Sequence, residues 1–143
     1  MLKINKLADY GLMVMSCLAH HRKPLNTPEI AAFTHLSVHT VSKVLKCLTR
    51  HGLLHSKRGM QGGYWLALPA ENITLNHMLA ALEEDLAVTE CAQGQGVCKV
   101  EHFCGIRHNW KMINKYFQSM LSKITLADML GRLPKDFSRL QKE

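Results

Sequence analysis

The 143-residue chain has no apolar run approaching the roughly 20 residues that a bilayer span requires. Met1-Leu2-Lys3 opens into mixed sequence without the apolar core of a signal peptide, so a cytoplasmic protein with no membrane partner is expected. Internal repeats and low-complexity tracts are missing as well. No paired acid and base, and no oxyanion device, stands beside a nucleophile, which argues against an enzyme. The five cysteines are odd in number and come without an export signal; they point to reduced thiols or metal ligands instead of a disulfide framework. Acidic residues are scarce too, with 11 Asp and Glu against 18 Lys and Arg for a formal charge of +7. Such a balance fits a polyanionic partner such as nucleic acid. Residues 1–68 hold nine basic and two acidic side chains, residues 69–104 one and six, and residues 105–143 eight and three. Two basic ends therefore flank an acidic middle.

Leu7, Tyr10, Gly11, Val14, Cys17 and Leu18 recur at steps of three and four and predict a first helix over residues 6–21. In Thr27-Pro28-Glu29 a Thr N-cap, a Pro at the first helical position and an early acid predict a second, short helix. Ser37 is placed to cap a third helix running to Arg50, with His51-Gly52 as its left-handed stop. Two helices joined by a tight turn make a helix-turn-helix. At about 100° per residue, Val41, Val44, Leu45 and Leu48 share one sector of the third helix, and His39, Lys43, Lys46 and Arg50 point away from it. A solvated helix has such a face too, so the sequence that follows decides its meaning.

Residues 53–57 and 64–68 read as two strands joined by Arg58-Gly59-Met60-Gln61-Gly62-Gly63. A basic, glycine-rich hairpin directly after a helix-turn-helix predicts a winged helix, mainly α with a small β-hairpin wing. Base-edge candidates are His39, Thr40, Ser42 and Lys43, early on the third helix; phosphate or minor-groove candidates are Lys46, Arg50, Lys57 and Arg58, and Ser37 and Gln61 are further DNA-binding candidates. Leu75, Met78, Leu79 and Leu82 give a linking helix entered near Thr74. From Ile106 an apolar stripe through Trp110, Ile113, Phe117, Met120, Leu121 and Ile124 predicts a long helix, and a short one follows Thr125. A stripe that long exceeds what a small domain covers, which suggests a homodimer that reads a palindromic operator in double-stranded DNA.

Residues 86–104 show no sustained period and read as a loop carrying Cys91, Cys98 and Cys104. Their Cys-x6-Cys-x5-Cys spacing is wider than the knuckles of structural zinc sites. Three ligand chemistries stay open: an iron–sulfur cluster, zinc, or redox-active thiols. Three thiolates leave a fourth position for His108, His102 or a carboxylate. The expected division is a winged helix-turn-helix domain with its linking helix over 1–82, a cysteine loop over 83–104, a dimerisation helix and short C-terminal helix over 105–131, and a flexible tail over 132–143.

Over residues 1–131 the chain resembles the winged-helix regulators of the IscR/NsrR family. The resemblance rests on Leu7-Ala8-Asp9-Tyr10-Gly11-Leu12, the wing Lys57-Arg58-Gly59-Met60-Gln61-Gly62-Gly63-Tyr64, the three-cysteine loop, and Ile124-Thr125-Leu126-Ala127-Asp128-Met129. It implies a dimer with crossed long helices and promoter binding governed by an iron–sulfur cluster, 2Fe-2S or 4Fe-4S, at Cys91, Cys98 and Cys104. Regulation of cluster-assembly genes is implied first, with nitric-oxide sensing as the alternative. IscR-like members place a histidine ligand three residues after the last cysteine, where this chain has Arg107; His108 lies about 100° around the helix from it. NsrR-like members use an aspartate near the start of the first helix, given by the other subunit, and Asp9 matches that position.

Overall fold

The computed structural model describes residues 4–83 and 86–133. Helices α1 (Lys6–His20), α2 (Thr27–Thr34) and α3 (Val38–Arg50) are followed by strands β1 (Leu54–Lys57) and β2 (Gly63–Leu66). A 3-10 turn (Ala70–Asn72) and helices α4 (Leu75–Leu82), α5 (Glu90–Gln93), α6 (Arg107–Lys123) and α7 (Leu126–Leu130) complete the order. The expected tail from Pro134 onward lies outside the described residues, as do Glu84 and Asp85.

Capping sets most of the helix starts. Asn5 caps α1 through a hydrogen bond from the Ala8 backbone N–H, Ser37 caps α3 and Thr74 caps α4. One start differs from the sequence reading. Asn26, not Thr27, caps α2: its amide oxygen accepts from the Glu29 backbone N–H at 2.9 Å while the Glu29 carboxylate accepts from the Asn26 N–H at 2.7 Å. An Asn with an acid three residues on closes this reciprocal box, so the helix begins one residue earlier than Thr27-Pro28 suggests. The strands are also shorter than expected, Leu53 and residues 67–68 falling outside them. The stretch 86–104 is not wholly irregular, because the four residues of α5 form inside it; one helical turn is too short to show a period.

The core joins the inner faces of α1, α3 and α4. Val14, Met15, Ile30, Val41, Val44, Leu48, Leu53, Ile73, Met78 and Leu126 are fully buried in it. Gly11 lets α1 approach α4, since a Cβ at that position would collide with the Leu82 side chain. The two segments flanking the cysteine loop are stitched together by backbone: the Leu75 N–H donates to the Ile124 carbonyl at 2.7 Å and the Leu126 N–H to the Ile73 carbonyl at 2.8 Å. The start of α4 is thereby fixed to the end of α6.

Candidate nucleic-acid interface and cysteine loop

In α3, Val41, Val44, Leu45 and Leu48 are buried and His39, Ser42, Lys43, Lys46 and Arg50 are exposed, the division expected from the helical angle. Thr40 is half-buried. The Ser37 hydroxyl accepts from the Thr40 backbone N–H at 3.1 Å and lies 2.8 Å from the Thr40 hydroxyl. Both hydroxyls are thus engaged in the cap, which aims the helix start instead of leaving them free at its tip. The turn before α3 passes through His35 at φ 56°, a left-handed conformation that ends α2.

The wing pairs Leu54 with Leu66, His55 with Trp65, Ser56 with Tyr64 and Lys57 with Gly63. Leu25 bridges to β2 as an isolated antiparallel pair: its N–H donates to the Tyr64 carbonyl at 3.1 Å, and its carbonyl accepts from the Tyr64 N–H at 2.8 Å. Gly63 sits at φ 143°, and a Cβ there would stand 2.7 Å from the Leu25 carbonyl. Only glycine fits so close an approach. Lys57, Arg58 and Gln61 are exposed around the turn, with Met60 fully exposed at its tip. Among the described residues, Lys43, Lys46, Arg50, Lys57 and Arg58 make no ion pair, which leaves these exposed cations without internal neutralisation. Arg22 and Lys23, also exposed, lie on a segment that the Leu25–Tyr64 pairing brings beside the wing. Sequence reasoning missed them, since the signal is a pairing across 39 positions and not a local pattern.

Cys91 is buried in α5, which packs on α6; Cys98 and Cys104 are half-buried, and all three thiols are free. The loop is tied to α6 at its entry, where the Val88 N–H donates to the buried Asn114 side-chain oxygen at 2.9 Å. Cys17 and Cys47 are elsewhere in the chain and pack against the core. Burial pushes the Cys17 thiol above its ordinary pKa, so it stays protonated at neutral pH.

From Cys98 to Trp110 exposure repeats every third residue: Cys98, Glu101, Cys104, Arg107 and Trp110 turn inward, and the residues between them are exposed. Backbone bonds from Glu101 to Cys98, Phe103 to Val100 and Arg107 to Cys104, each spanning three residues, produce this repeat. Arg107 lies 3.2 Å from a Glu101 oxygen. His108, one step on, is exposed and off the inward row. Asp9 is exposed in the first turn of α1, a helix that packs on α2, α3, β2, α4 and α7.

Among the described residues, no three His, Cys, Asp or Glu side chains are close enough to hold one metal ion. Soft thiols facing the same way on a short loop nevertheless suit iron–sulfur ligation by donor type. A polynuclear group several ångströms across would ask for less closure of the loop than a single tetrahedral ion. Among the described residues no helix is long and apolar enough to cross a membrane.

The sequence model of the Rrf2 family, described as an iron-dependent transcriptional regulator, matches residues 4–132. The regulator NsrR of Oceanobacillus iheyensis is 31% identical over 135 residues, covering 90% of each chain. Among solved structures, IscR of T. potens superposes with TM-score 0.68 at 30% identity, covering 90% of this chain and 86% of that one. CymR, the global cysteine regulator of B. subtilis, superposes with TM-score 0.70 at 30% identity, covering 91% and 97%.

Proposed function

The chain belongs to the Rrf2 family of transcriptional regulators, and from that membership we propose a homodimeric DNA-binding repressor whose promoter affinity is set by an iron–sulfur cluster on its cysteine loop. One observation carries the reading: Cys98 and Cys104 face inward on a loop that runs without interruption into α6, and Cys91 is held against that helix by α5. Bound, the cluster supplies iron centres that cross-link these thiolates. What the chain contributes is placement. Asn114 anchors the loop entry to α6, and the paired backbones of residues 73–75 and 124–126 tie α6 to the linking helix of the winged domain. A change in loop order is therefore felt at α4, and from there at α1, which packs on both α4 and α3.

Dimerisation is supported by a second apolar face on α6. Trp110, Asn114, Phe117 and Leu121 turn inward, while Ile106, Met112, Ile113, Tyr116 and Met120 are exposed along an adjoining flank. A second copy of this helix would cover them. At the DNA, α3 enters the major groove with His39, Ser42 and Lys43 forward, and Lys46, Arg50, Lys57, Arg58 and Gln61 serve the backbone and minor groove. The fourth ligand is a nitrogen or oxygen group: Asp9 of a second copy is the one the resemblance implies, ahead of His108.

The genes controlled are those of cluster assembly. Nitric-oxide sensing is the second reading, favoured by Arg107 at the position of the IscR-like histidine. Anaerobic purification followed by visible absorption, iron and sulfide analysis, and a gel shift on the chain's own promoter tests the proposal. The expected protein is coloured, and its affinity for DNA changes when the cluster is removed. A colourless zinc protein with unchanged DNA binding would contradict it.

A further inference from the structure

Glu101 is the one buried acid of the described residues, 5% exposed, and belongs to the acidic segment 69–104. Buried carboxylates are retained when paired or bound to a metal. Arg107 Nη2 approaches Glu101 Oε2 to 3.2 Å, an ion pair that does not reach hydrogen-bond geometry, and Arg107 Nε is buried without a hydrogen-bond partner among the described residues. His102, the other neighbour, lies 3.6 Å from Oε1 and is itself exposed. The position of Glu101 is as specific as its burial. It lies three residues after Cys98 and three before Cys104, on a stretch whose backbone turns every three residues. The exposure pattern turns Cys98, Glu101 and Cys104 inward on one short stretch, although the three side chains are not gathered closely enough to hold a single ion.

Resting on the cluster reading above, we propose that Glu101 is the oxygen ligand that completes the set of Cys91, Cys98 and Cys104 within one subunit. Arg107 is then a positioning residue. Standing one turn past Cys104, it draws the carboxylate inward and offsets the negative charge that three thiolates and a carboxylate gather in one place. The site so formed needs no ligand from a second copy, and Asp9 is left outside it. An oxygen donor among three thiolates also gives the set one position of weaker, more exchangeable bonding, since carboxylate is the harder ligand.

The full-length chain is loaded with iron and sulfide anaerobically, and its visible absorption and circular dichroism, iron content and rate of iron release to a chelator are recorded. The wild-type chain is compared with Glu101→Gln, Glu101→Cys, Arg107→Gln and Asp9→Ala, and far-ultraviolet circular dichroism checks each fold. Glu101→Gln should alter the visible bands and release iron at least about tenfold faster, as loss of one ligand or its outer-shell support does. Glu101→Cys should restore retention to the wild-type rate or slower, because thiolate replaces carboxylate at a ligand position. Arg107→Gln should change the rate less than Glu101→Gln and leave the bands in place, and Asp9→Ala should change neither. Glu101→Gln with wild-type bands and release rate overturns the assignment while leaving the cluster reading intact. Equal losses in Glu101→Gln and Arg107→Gln, unrescued by Glu101→Cys, also overturn it, by making Glu101 a counter-ion only. A wild-type chain that takes up no cluster overturns the cluster reading itself, and Glu101 as ligand with it. Should Glu101→Gln fail to fold, Glu101→Cys decides alone, with faster release than wild type as the contradicting result.

Discussion

Gly63 shows how a single residue carries the wing. Its φ of 143° and its approach to the Leu25 carbonyl leave no room for a side chain, so Gly63→Ala should destabilise the fold by about 2 kcal/mol. Urea denaturation followed by circular dichroism measures this, and a change below about 0.5 kcal/mol, the range of a neutral surface substitution, would contradict the reading. In the proposed DNA complex two lysines divide the work. Lys57→Ala at the wing base should weaken all sequences alike and reduce the salt slope of binding by about 1, whereas Lys43→Ala on α3 should erode discrimination between promoter and random DNA. Fluorescence anisotropy across a salt series separates these outcomes, and identical effects on both DNAs would refute the division. At this scale much was legible: Ser37 as a cap, Gly52 as a left-handed stop, and the exposed cations of α3 all follow from local pattern. Glu101 was not. Its burial depends on Arg107 six residues on and on turns of a spacing that apolar periodicity does not report. Asn26 was passed over because Thr-Pro-Glu offers a second, equally regular start one residue later.

Among the elements, α6 has two apolar faces, only one of which its own subunit covers. Ile113 is about half exposed at the centre of the uncovered row. Ile113→Asp should therefore yield a folded monomer, because a charge replaces apolar contact in the helix pair while the inward face keeps Phe117 and Leu121. Analytical ultracentrifugation reads this directly, and an unchanged sedimentation coefficient would show that the dimer forms elsewhere. The long helices were visible in the sequence because fifteen or more residues repeat a stripe several times. The α5 turn was invisible for the opposite reason: four residues have no period, and what stabilises them is packing on α6, a tertiary contact.

Across the whole molecule, charge and chemistry are separated. Exposed cations stand on α3, the wing and the Arg22–Lys23 segment, and Cys91, Cys98 and Cys104 stand on the segment that leads into α6. The proposed switch requires a mechanical route between them, and we assign that role to the backbone pairing of residues 73–75 with 124–126. The sequence made the two regions legible but not the link, because an isolated rung between Thr74 and Thr125 leaves no mark in either segment. A coupling of about 1–3 kcal/mol through this link corresponds to a 5- to 150-fold change in DNA affinity. The decisive measurement is the dissociation constant for promoter DNA, taken anaerobically by fluorescence anisotropy on the cluster-loaded and cluster-free forms of the same preparation. The account predicts constants at least about fivefold apart; equal constants for the two forms would contradict it.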